Sequence, residues 1–160
     1  MTEGKKGLKT GGKRVKTGIF CMLIVICVSF IFSNSLQSAE ESMAFSMAFL
    51  RLIEKIPLLV KIVTPFAVRK IGHFSEFALL GVLLLLTLRS LTEKTLSFIS
   101  WPLLFGLLVA VTDETIQLFV TGRESQTVDV FIDFGGLVSG MAVAVLVLRI
   151  VRNLPLKAEK

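Results

Sequence analysis

Four stretches of about 20 mostly apolar residues dominate this chain, each as long as a helix must be to cross a bilayer. They run from Gly18 to Leu36, from about Ile71 to Leu88, from about Phe98 to Val120 and from about Phe131 to Val151. The expected fold is all-α, an integral membrane four-helix bundle. Composition agrees: 53% of the residues are hydrophobic and 19% charged, against about 45–50% and about 25% in a soluble domain. Disorder is excluded because it requires low hydrophobicity. With 4 Pro and 12 Gly, no collagen-like or Pro-rich repeat exists. The first stretch has a basic front and small residues near its end, as a signal peptide does, but no convincing A-x-A site follows, so it reads as an uncleaved span.

Lys and Arg placement sets the expected orientation. Lys5, Lys6, Lys9, Lys13, Arg14 and Lys16 precede span one; Arg89 and Lys94 follow span two; Arg149, Arg152, Lys157 and Lys160 close the chain. Four crossings put all three groups on one side, with only Glu3, Glu93 and Glu159 for company. Both termini are therefore expected in the cytoplasm of a cell with this protein in its cell membrane. The formal charge of +6 is a topology signal and a contact for membrane lipid, not a nucleic-acid footprint. Domain boundaries follow: a basic cytoplasmic tail at 1–17, a transmembrane domain at 18–151 and a second cytoplasmic tail at 152–160.

Residues 37–70 then form the longest external segment. Met43 to Ile56 carries apolar residues at helical spacing, interrupted by Arg51, Glu54 and Lys55. It is expected to be an additional amphipathic helix at the membrane interface, between spans one and two. Leu58 to Val68 is apolar but too short to span, which leaves an interfacial or re-entrant path open. Cys21 and Cys27, six residues apart on one helix, are too distant to bridge. A single His and no zinc-type spacing predict no metal site, and no cofactor is expected.

Charged side chains inside a bilayer are expensive and usually pair or line a cavity. Here they collect at one level, the outer ends of three spans. Span two opens with Arg69, Lys70, His73 and Glu76, the last two on one helix face. Span three ends with Asp113, Glu114 and Gln117, again one face, and a short loop follows with Gly122, Arg123 and Glu124. Span four begins with Asp129 and Asp133, four apart, with Ser125 or Thr127 in position to cap it. Six carboxylates face three basic residues and one His. Not all can ionise in a partly dry site, so some carry a proton, a cation or a basic ligand group. Arg123 has the fork to hold Asp129, Glu76 or an anionic ligand. Below this level Gly136, Gly140 and Ala144 form a small-xxx-small ladder, with Gly106 and Ala110 opposite on span three. An ion-pair network that only holds the bundle together is the structural alternative to a functional site.

Taken in order, Arg69-Lys70-x-x-His73-Phe74-x-Glu76-Phe77, Asp113-Glu114-x-x-Gln117-x-Phe119, Gly122-Arg123 and Asp129-x-x-x-Asp133-x-x-Gly136 resemble the VanZ-like family. The Phe32-Ser33 ending of span one, with Ser35 after it, is similar too. The resemblance covers roughly residues 18–150. The chain has Phe77, Thr121 and Asp133 where the family pattern more often has Tyr, Pro and Asn. The resemblance implies a small bacterial multi-pass membrane protein, its founding member being associated with low-level teicoplanin resistance.

Three functions are compatible with these residues. One is an envelope protein whose outward polar pocket binds a cell-wall or lipid-linked ligand and contributes to glycopeptide resistance, with Lys70, Asp113, Glu114, Gln117, Arg123 and Asp133 as ligand-binding residues. The second is an enzyme acting on a lipid head group, with His73 as general acid or base, Glu76 or Asp129 orienting it and Arg123 holding an anion. The third, a proton- or ion-coupled carrier, ranks last because the polar residues stop at the outer half. A homo-oligomer through the Gly136/Gly140 face is a further expectation.

Overall fold

The computed structural model describes residues 3–53, 64–123 and 126–153. Five α-helices account for nearly all of them: α1 (Glu3–Ser35), α2 (Ala39–Ile53), α3 (Pro65–Leu91), α4 (Ser100–Gln117) and α5 (Thr127–Asn153), with a 3₁₀ turn at Thr95–Phe98 before α4. Four segments are long and apolar enough to cross a membrane: Gly12–Ser35, Pro65–Leu91, Thr95–Gln117 and Thr127–Val151. The chain is the expected all-α four-helix membrane bundle with an extra helix between spans one and two. Residues 54–63, Glu124, Ser125 and residues 154–160, on which parts of the sequence reading fall, lie outside the described residues.

Local chemistry sets the helix ends. The α3 helix starts six residues earlier than its apolar run, because the Thr64 side chain accepts the Ala67 N–H at 3.2 Å and Pro65 occupies the first turn. Both are ordinary helix openers. Arg69 and Lys70 are therefore helical, and Pro65 to Val68 belong to a span. At the other end α4 stops at Gln117, three residues before its apolar run ends. Tight turns from Phe119 and Val120 back to Ile116 and Gln117 lead to Gly122, whose φ of +75° suits glycine.

The extra helix opens on a capping box. Ser38 N–H and Oγ donate to Glu41 Oε2 at 2.8 and 3.0 Å, and Glu41 N–H returns a bond to Ser38 Oγ at 3.2 Å. These bonds hold the Glu41 carboxyl below its usual range, the Ser38 backbone bond being the larger cause. Its amphipathicity has an unusual sense. Ser42 and Ser46 face the bundle and are buried, while Met43, Phe45, Phe49 and Leu52 face out. An outward apolar face on a helix beside a bundle fits a membrane interface.

The core lies between α3, α5 and parts of α1 and α4, built from Ile31, Phe77, Leu80, Leu85, Val109, Ala110, Leu137 and Met141. Large apolar side chains also cover the outside: Val25, Phe30, Leu79, Trp101, Leu104, Leu108, Val143 and Leu146 are all exposed. Lipid solvates such a surface, so apolar burial gives little drive to hold the helices together. Close packing and internal polar bonds must do so instead.

Close packing is strongest between α3 and α5. Gly136 sits against the Phe74 backbone and Gly140 against the Ala78 backbone, and Gly81 returns the contact against the Leu137 carbonyl. Both residue pairs advance four positions in the same sense, so the helices run parallel. Gly106 of α4 accommodates the Leu137 side chain. The Gly136/Gly140 face is thus filled by span two of the same chain. This corrects the expectation that it serves a second copy: the backbones already touch there, leaving no room for another helix. The cysteines behave as expected, both free, with Cys21 exposed and Cys27 buried.

Candidate functional site

The glycine contacts fix the register that builds the polar end of the bundle. With Gly136 beside Phe74, the turns just before them bring Lys70 and His73 of α3 alongside Asp129 and Asp133 of α5. Lys70 Nζ forms an ion pair with Asp129. The Lys70 ammonium also stands 4.6 Å from the centre of the Phe66 ring, with Arg69 above the same ring at 5.9 Å. Such contacts hold long basic side chains at a membrane rim.

Deeper in, α4 supplies Asp113, Glu114 and Gln117, all buried. Asp113 Oδ1 accepts the Ser35 hydroxyl at 2.5 Å, and Oδ2 accepts Gln117 Nε2 at 3.1 Å. Glu114 Oε1 accepts the Gln126 N–H at 2.6 Å, tying α4 to the approach to α5. His73 Nδ1 stands 3.7 Å from Asp113 Oδ2. His73, Asp113 and Asp133 each present a donor atom within 4.8 Å of the others.

Arg123 closes this end. Its Nε donates to the Gln37 carbonyl at 3.0 Å, one terminal nitrogen to the Asn34 carbonyl at 2.9 Å, and the other to Gln117 Oε1 at 3.1 Å. The guanidinium thus binds the end of α1, the α1–α2 turn and the end of α4 at once. Its pKa is lowered from its ordinary value, chiefly by burial and then by the charge of Arg69, against the pull of Asp113, Glu114 and Glu76. An Arg side chain remains charged through such a shift.

The structure rearranges the expected pairings. Arg123 was the natural partner for Asp129 or Glu76 on charge alone, but it spends its fork on two carbonyls and an amide. Asp129 goes to Lys70, which is nearer along the parallel helices. Glu76 does not orient His73. Its Oε1 accepts Asn34 Nδ2 at 2.7 Å from α1, so it faces span one although it shares the His73 half of the helix. The acid opposite His73 is Asp113.

Two site residues escaped the sequence reading of the chemistry. Asn34 and Ser35 of α1 bond Glu76 and Asp113, making the first span a structural part of the cluster. The signal was the polar run Ser33-Asn34-Ser35 at the same membrane level as the other groups. Four atoms in the cluster are buried without a hydrogen-bond partner among the described residues: His73 Nδ1, Glu76 Oε2, Glu114 Oε2 and Asp133 Oδ1.

Arg69, Lys70, His73, Glu114, Gln117, Asp129, Ile132 and Asp133 line a small cavity at this end. It has room for about one water molecule. A family model described as VanZ/LLP1 matches residues 20–149. The chain belongs to the VanZ/LLP1 family. No curated protein and no solved structure matches it. The span shared with the VanZ/LLP1 model contains every residue of the cluster, from Asn34 to Asp133, together with the glycines that set its register. In this VanZ/LLP1 protein the shared region is therefore the bundle and its polar end, not an appended module.

Proposed function

We propose that this VanZ/LLP1 protein lies in the bacterial cell membrane with both termini cytoplasmic, its polar end facing outward. There it engages a cell-wall or lipid-linked ligand and contributes to glycopeptide resistance of the teicoplanin type. The observation that carries this reading is the convergence of polar side chains from four spans at one end of an otherwise apolar bundle. Buried carboxylates are costly in a membrane, and a bundle that needed only packing would not require them. The positive-inside pattern of Lys and Arg supports the outward orientation.

The cavity is too small for a head group as it stands. Entry of a ligand requires the Lys70–Asp129 pair at its rim to part, which exposes an ammonium for an anionic group and a carboxylate for a basic one. Arg69 beside it adds a second positive charge. Arg123, with its donors committed, holds the frame in which the site forms.

A second reading, chemistry on a lipid head group, draws support from one observation: His73 Nδ1 faces the fully buried Asp113 carboxylate. The gap of 3.7 Å is longer than a hydrogen bond, and at hydrogen-bond distance that carboxylate would orient the imidazole for general acid–base work. In that reading Asp113 replaces Glu76 and Asp129 as the orienting acid.

The test is a set of single alanine substitutions at His73, Glu76, Gln117, Arg123 and Asp129, scored for teicoplanin susceptibility and membrane abundance together. The expected result is raised susceptibility at normal abundance for His73→Ala and Asp129→Ala, and lost abundance for Arg123→Ala. Unchanged susceptibility in both His73→Ala and Asp129→Ala, or in a strain lacking the protein, contradicts the proposal.

A further inference from the structure

His73, Asp113 and Asp133 stand close together at the polar end of the bundle. The three residues come from three different spans, and their donor atoms converge within 4.8 Å. Two donors each about 2.1 Å from one ion stand about 3.4 Å apart at a tetrahedral angle. His73 Nδ1 and Asp113 Oδ2 are 3.7 Å apart.

The orphaned atoms point to an occupant. Asp133 is 1% exposed, and its Oδ1 has no partner among the described residues. It lines the small cavity alongside His73 and Glu114. Glu114, 5% exposed, leaves Oε2 without a partner, and His73 leaves Nδ1. An unsatisfied buried carboxylate oxygen costs free energy wherever nothing is bound to it. Asp113, by contrast, is held on both oxygens by Ser35 and Gln117, the kind of support that outer groups give a ligating carboxylate. The ion pair of the cluster, Lys70 with Asp129, leaves Asp133 and Glu114 without a cation among the described residues.

We infer that His73, Asp113 and Asp133 form a binding site for one divalent transition-metal ion of the Zn²⁺ or Mn²⁺ class. One imidazole with two carboxylates is a mixed nitrogen and oxygen set, which suits such ions better than Mg²⁺ or Ca²⁺. Water fills the remaining positions. The small cavity that His73 and Asp133 line has room for an ion but not for a head group. The ion ties α3, α4 and α5 together at the level where lipid gives the helices no reason to associate.

The test uses the full chain purified in detergent, with Cys21 and Cys27 replaced by alanine so that thiols contribute no site. After treatment with chelator, ZnCl₂, MnCl₂ or MgCl₂ is added, and bound ion per chain and melting temperature are measured. The expected result is about one Zn²⁺ or Mn²⁺ per chain with a raised melting temperature, and no such rise with MgCl₂. Asp133→Asn and His73→Gln each weaken binding at least about tenfold, while Glu41→Gln, outside the cluster, leaves it unchanged. Should Asp133→Asn fail to fold, His73→Gln decides alone. Absence of stoichiometric Zn²⁺ and Mn²⁺ binding overturns the site. Binding by His73→Gln or by folded Asp133→Asn as tight as that of the parent overturns the three-ligand assignment. This test reads metal, not susceptibility, so it succeeds or fails independently of the proposed function.

Discussion

Replacing Gly140 with alanine is expected to destabilise the bundle by about 1–3 kcal/mol, as overpacking does in other tight interiors. A Cβ at this position falls on the Ala78 carbonyl and its neighbouring backbone atoms. A side chain could swing away, but backbone cannot, so α3 and α5 must separate. Alanine is the better helix former by about 0.8–1.0 kcal/mol, and that gain is included in the smaller net figure. The matched control is Gly135→Ala. No atom lies within 4 Å of a Cβ there, so it keeps the propensity gain and is expected to be neutral or slightly stabilising. Melting of both variants in the same detergent reads the difference. Because these contacts set the register, Gly140→Ala is also expected to weaken the Lys70–Asp129 pairing, four residues before Phe74 on α3.

Arg123→Ala is expected to have the largest effect of any change at the polar end. It strips a charged donor from the Asn34 and Gln37 carbonyls and from Gln117 Oε1. Hydrogen bonds to charged groups contribute about 1.5–3 kcal/mol each when buried. Arg123 is only partly buried and water replaces some of the loss, so a net cost of about 2–4 kcal/mol is expected. Arg123→Lys is expected to recover little, because one ammonium does not span the three directions of the fork. The measurement is membrane abundance and melting temperature of the two variants. Full stability of Arg123→Lys would show that charge alone suffices, contrary to the geometry.

The four spans and the level of their polar ends were legible because length and hydropathy are sufficient to place a membrane helix. The side-chain partners were not. Which acid meets His73 depends on the rotation of α3 about its axis, and that rotation is set by Gly81, Gly136 and Gly140 pressing on particular backbone atoms. The ladder itself stood out in the sequence with Gly106 and Ala110 of span three set opposite it, but spacing does not say whose helix fills the groove, and span two does. Similarly, the apolar stripe of α2 was visible while its outward sense was not. Its small serines pack against α3, and the bulk of Phe45 and Phe49 is left for the interface. Asn34 and Ser35 were overlooked as chemistry because neutral polar residues at a span end are common.

The claim on which the proposed function depends is that one chamber, made by residues of several spans, opens to the outside of the cell. Ile132 lines it beside Asp133. The direct measurement is reaction of Ile132→Cys, in a chain lacking Cys21 and Cys27, with a small charged thiol reagent that does not cross membranes. Ser139→Cys, two turns further along α5 and exposed beyond the cluster, serves as the lipid-facing reference. Modification of Ile132→Cys in intact cells, with Ser139→Cys unreactive, is the predicted result. Reaction of Ile132→Cys only after the cells are permeabilised would place the chamber on the wrong side of the membrane and contradict the account.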